Sequence, residues 1–130
     1  MEEIRWKQRF QNYEKSIMLL KKTVAKKELS DIEKAGMVQF FEMSFELGWN
    51  LVKDFLEAQD VIAKFPREVI KAGFEYELLE NGEVWIDMLE NRNLMSHTYN
   101  EAYANKACDL ILNKYFDVLN NLYDFMKKKL

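Results

Sequence analysis

The stretch S-D-I-E-K-A-G-M-V-Q-F-F-E-M-S-F-E-L-G-W-N-L-V-K-D-F-L-E-A-Q, residues 30–59, decides the fold. Ser30 followed by Glu33 is a capping-box pattern, so a helix starts near Asp31 and runs to about Gln59. At ~1.5 Å per residue it spans roughly 40 Å. Its apolar residues form two stripes, Met37, Phe41, Phe45, Val52, Phe55 and Phe40, Met43, Leu47, Leu51. A helix apolar on two sides packs on two sides, which makes this the central helix.

The flanking segments are also helical. Before it, Trp6, Phe10, Tyr13, Ile17, Leu20 and Val24 alternate steps of four and three, giving one helix with a single buried stripe. Near the end, Ala104, Cys108, Ile111, Tyr115, Val118, Leu122 and Phe125 repeat that spacing, and lysines follow at the negative end of the helix dipole. Between them, Pro66 suits the first turn of a third helix continuing through Val69, Ile70 and Phe74, with Gly73 weakening it. Asn81-Gly82 signals a turn, and Val84, Trp85, Met88 and Leu89 mark a fourth helix. The expected architecture is all-α, an up-and-down bundle of four to five helices in a single domain over residues 1–130.

Composition agrees with this reading. Four Gly and one Pro leave few turns, and 48% hydrophobic with 32% charged residues describes a globular chain, not a disordered one. Cys108 stands alone and no Cys/His cluster has zinc spacing, so the expected setting is reducing and cytoplasmic, with no metal. The opening M-E-E-I-R-W-K-Q-R-F carries too much charge for a signal peptide, and no apolar run approaches the ~20 residues of a membrane span. The net charge of −3 provides no broad attraction for nucleic acid, so any RNA contact must be local. Aromatic residues at 14% exceed what a small core needs, and exposed ones would suit a dimer or partner face.

Residues 90–100, E-N-R-N-L-M-S-H-T-Y-N, hold the only histidine. Arg92 is a permanent cation with a planar fork of donors that suits phosphate oxygens. His97, with a reference pKa of about 6.5, exchanges a proton near neutrality. Together they suit metal-free phosphodiester chemistry, in which a base deprotonates a 2′-hydroxyl and a cation stabilises the charge building on phosphate. Residues five apart on a straight helix sit about 140° apart, so either the helix ends between them or the pair completes across a two-fold axis. Read blandly, Arg92 is a helix-end surface residue, His97 a cap and Tyr99 a half-buried aromatic. Glu46, polar among apolar neighbours, is either solvated or placed to orient the Arg or His; Trp49 and Trp85 belong to core or interface.

R-N-L-M-S-H-T-Y has the form R-x4-H-x-Y. With F-E-M-S-F-E-L-G-W-N-L-V-K-D-F-L-E from Phe41, P-R-E-V-I-K-A-G-F from Pro66 and W-I-D-M-L-E-N-R-N from Trp85, the chain resembles the HEPN superfamily, specifically its small nucleotidyltransferase substrate-binding proteins. That resemblance implies a helical homodimer with two R-x4-H motifs at its interface, paired with a cognate minimal nucleotidyltransferase as toxin and antitoxin. It implies a metal-independent endoribonuclease without cofactor, in which Arg92 stabilises phosphate charge, His97 is the base and Asn93 adds a hydrogen bond. AMP transfer to Tyr99 would neutralise it. The alternative within the same family is a non-catalytic subunit that binds substrate or nucleotide for the nucleotidyltransferase. No P-loop, Rossmann glycine pattern or metal carboxylate cluster is present, so the transferase itself is expected in a partner.

Overall fold

A computed structural model describes residues 2–130, apart from the side chains of Asn93 and Leu94. Six α-helical elements follow one another: α1 (Glu2–Val24), α2 (Asp31–Ala58), α3 (Pro66–Glu75), α4 (Gly82–Met95), α5 (Glu101–Leu110) and α6 (Phe116–Lys127). A π-helical turn, Ile111–Tyr115, joins α5 to α6, so residues 101–127 form one long rod. The fold is an all-α bundle.

The capping box at Ser30 is present, with the Ser30 side chain accepting from the Glu33 N–H and Glu33 Oε1 accepting from the Ser30 N–H. Lys26 first, then the Ser30 N–H, holds the Glu33 carboxyl down to about 2. α2 packs on α1, α3, α4, α5 and α6, which makes it the central helix. Met37, Phe41, Phe45, Val52 and Phe55 are buried as the first stripe requires. The second stripe is only partly covered: Leu51 is buried, Phe40 and Leu47 are half-buried and Met43 is exposed.

Trp6, Phe10, Tyr13, Ile17 and Leu20 of α1 are fully enclosed. Along the last rod Cys108, Ile111, Tyr115, Val118 and Leu122 are buried; the inward residue of the final turn is Met126, while Phe125 is half-buried. Met126 lies four residues past Leu122 on the same face, and beside them the Tyr123 ring stacks on Phe10 of α1 at 5.6 Å between centroids.

Gly73 weakens α3 by propensity, but its missing side chain permits the packing. A Cβ there would lie 2.8 Å from Val52 Cγ1 and 3.2 Å from Leu79 Cδ1. Phe74 is not part of the core but stands exposed. Among the described residues no helix is long and apolar enough to cross a membrane.

The Gly73→Ala substitution separates propensity from packing. Helix propensity alone gains about 1 kcal/mol, whereas forcing a methyl against the stiff, β-branched Val52 costs about 1–3 kcal/mol. Thermal unfolding should show a fall of several degrees. Adding Val52→Ala to that variant should cost less than Val52→Ala alone, because the two sites share the clash.

Candidate functional site

The local sequence breaks the helix where the motif needs it broken. α4 ends at Met95, which is buried, and the next helix is capped by Asn100, whose Oδ1 accepts from the Ala102 N–H at 2.9 Å and the Tyr103 N–H at 3.4 Å. Between them the Asn100 N–H donates to the His97 carbonyl at 3.0 Å, closing a turn that carries His97 and Tyr99. Asparagine provides this cap through its own short side chain. The cap is therefore Asn100 and not His97.

Arg92 and His97 occupy neighbouring clusters. Arg92, in the last turn of α4, donates to Glu46 Oε1 on α2 at 3.3 Å, and Trp49 Nε1–H holds the other oxygen of that carboxylate at 3.0 Å. Both partners of the Arg92–Glu46 pair are about half exposed, so the pair is weak and the guanidinium is readily recruited by an anion. Phe41, Glu42, Phe45, Glu46, Arg92 and Ser96 line an open groove of about 330 Å³. Burial first, then the charge of Glu46, pushes the Glu42 carboxyl up.

His97 belongs to the turn. Its Nδ1 lies 3.4 Å from the Tyr99 hydroxyl, and its ring stands 5.9 Å from that of Tyr99 and 5.8 Å from that of Tyr103. Tyr99 is 85% exposed, not half-buried, so its hydroxyl is open to a large partner. The expected hydrogen bond from Asn93 concerns a side chain outside the described residues.

One network was not anticipated from the sequence. Asp87 Oδ2 accepts from the Tyr115 hydroxyl at 2.8 Å and from Lys114 Nζ at 3.0 Å, and Asn91 Nδ2 donates to the Tyr115 oxygen at 3.1 Å. These bonds tie the two α4 residues, one turn apart, to the π-helical turn, and so fix the helix just before Arg92. Burial and then the Asp87 bond raise the Tyr115 hydroxyl. Desolvation of Asp87 is outweighed by its bonds to Lys114, Tyr115 and Asn91, so its carboxyl lies below the usual range. The sequence signal was hidden because Tyr115 reads as one more apolar residue of a regular stripe.

Among the described residues no group of three His, Cys, Asp or Glu side chains is placed to hold a metal ion. Comparison with known proteins defines the class. The family model described as nucleotidyltransferase substrate binding protein like matches residues 8–128, and the chain belongs to that family. A protein from Thermus thermophilus of known crystal structure is similar, with 28% identity over 86% of this chain and 96% of that one and a TM-score of 0.77. No curated protein matches.

The Asp87 network gives a pH-dependent stability. Its carboxyl titrates lower in the folded chain, so the stabilisation is complete above the ordinary carboxylate value of about 3.9 and disappears as pH falls through the lowered folded value. Asp87→Asn should cost about 1 kcal/mol in urea unfolding at neutral pH. The gap from the parent chain should narrow steadily below about pH 4.

Proposed function

We propose that the chain is a HEPN-type, metal-independent endoribonuclease silenced by AMP transfer to Tyr99 from a partner nucleotidyltransferase. The observation that carries this reading is the 3.4 Å approach of the Tyr99 hydroxyl to His97 Nδ1 on an exposed turn. A group attached to that oxygen lands on the base itself. In the reaction, His97 takes the proton of a 2′-hydroxyl, whose oxygen attacks the adjacent phosphorus; the bond to the 5′-oxygen breaks, that oxygen leaves as a hydroxyl by taking a proton from water, a 2′,3′-cyclic phosphate forms, and His97 returns its proton to solvent. Arg92 stabilises the charge on the non-bridging oxygens, exchanging Glu46 for phosphate. An AMP on Tyr99 adds bulk and a negative phosphodiester beside His97 and repels the RNA backbone.

His97 and Arg92 lie in separate clusters of one chain, so the reading has the pair completed in a homodimer, His97 of one copy working with Arg92 of the other. A second reading is favoured by the family description; the groove beside Arg92 offers a floor of Phe41 and Phe45 for a base and one guanidinium for a phosphate, with Glu42 and Glu46 to accept from hydroxyls. Here the chain offers a bound nucleotide to the transferase without cutting RNA.

Incubation of the pure protein with RNA in EDTA separates the two. The ribonuclease reading expects cleavage that falls about 10²–10⁴-fold in His97→Ala and about 10²–10³-fold in Arg92→Ala. Equal cleavage by His97→Ala, or none by the parent, overturns it. Tyr99→Phe should retain cleavage within a few-fold while taking up no AMP from the nucleotidyltransferase and ATP, read by intact mass. If the binding reading holds, the chain instead lowers the transferase's KM for its substrate.

A further inference from the structure

Between α3 and α4 lies an open groove of about 690 Å³, on the opposite half of α4 from Arg92 in sequence and absent from the chemistry above. Ile70, Phe74, Val84 and Ile86 supply its apolar walls, and Glu75, Glu80 and Glu83 stand on its rim, with Lys71 as its one base. Two features mark it as more than a surface irregularity. Val84 and Ile86 are only partly buried against the core that holds Trp85 and Met88, and both also line the groove. Phe74, 53% exposed, is also held in place: its ring lies over Gly82, where a Cβ would come within 3.1 Å of Cδ1. A single aromatic is thus presented to solvent at the mouth of an apolar groove.

Charge selects the occupant. On the groove Glu75, Glu80 and Glu83 face the single Lys71, while of the other acids between Lys71 and Arg92, Asp87 pairs with Lys114 and Glu90 with Arg67. RNA and anionic lipid are repelled by such a rim. A second copy docked through a two-fold axis would set acidic rim on acidic rim, at a cost in like-charge contact. We infer that the groove is the docking site for a basic amphipathic segment of a partner protein, its aliphatic or aromatic side chains against Phe74, Val84 and Ile86 and its lysines or arginines on Glu75, Glu80 and Glu83. Helix-in-groove recognition has this form, with apolar anchors for affinity and rim charges for orientation. The inference is independent of whether Arg92 and His97 cut RNA.

The test uses the full chain, isotope-labelled, and two short helix-forming peptides, one of leucine and lysine and one of leucine and glutamate. Saturable shifts of the Ile70, Phe74, Val84 and Ile86 resonances with the lysine peptide alone are expected. Phe74→Ala should weaken binding about tenfold or more. The doubly reversed Glu80→Lys/Glu83→Lys variant, altered only at exposed positions, should weaken it and remove most of its dependence on salt. Equal binding of the glutamate peptide, shifts spread over acidic residues elsewhere, or indifference to both variants overturns the inference. So does movement of the groove resonances on concentrating the chain alone, which assigns the face to self-association, or on adding an RNA oligonucleotide.

Discussion

Gly48 is the point on which the bundle depends. The Trp85 ring of α4 and the Tyr13 ring of α1 both close on the bare Cα of α2, and a Cβ added there would meet each of them at 3.0 Å. Two large aromatic side chains therefore share one residue's width of the central helix. Tyr13 goes on to donate to the Leu119 carbonyl at 2.6 Å, which ties α6 to the same point, and burial drives its hydroxyl to stay protonated. Glycine costs about 1 kcal/mol of helix propensity at such a position, far less than the burial of two aromatic rings is worth.

This contact reaches the site through α4. Trp85 and Arg92 are seven residues apart, two turns along nearly the same face, so seating Trp85 on α2 also directs Arg92 toward α2, where Glu46 receives it. The opposite side of the same helix is registered by the Asp87–Tyr115–Asn91 bonds to the π-helical turn. A π turn widens the helix and moves the side chains that follow it, which brings Lys114 and Tyr115 together onto one carboxylate. Packing on one flank and polar bonds on the other leave α4 little freedom to rotate. The turn beyond Met95 inherits that placement.

The two ends of α4 border grooves of different chemistry. Arg92 lies at the C-terminal end of α4 beside Glu42 and Glu46, ahead of the turn with His97 and Tyr99, while Glu80, Glu83 and Glu75 stand around an apolar groove at its N-terminal end.

Helix number, approximate boundaries and most of the core were legible in the sequence, because amphipathic periodicity and the Ser30–Glu33 box are local properties of the chain. So was the option of a helix end between Arg92 and His97, since Asn100 caps through its own side chain. What required the tertiary structure were effects of close approach between distant segments. Gly73 reads only as a weak helix residue until Val52 and Leu79 occupy the space beside it, and nothing in the stripe marks the stacking of Tyr123 on Phe10. Likewise Tyr115 continues an apolar stripe until its hydroxyl meets Asp87. Periodicity reports which face of a helix is apolar, but which atoms meet across an interface, and which groove remains uncovered, is decided by packing in three dimensions.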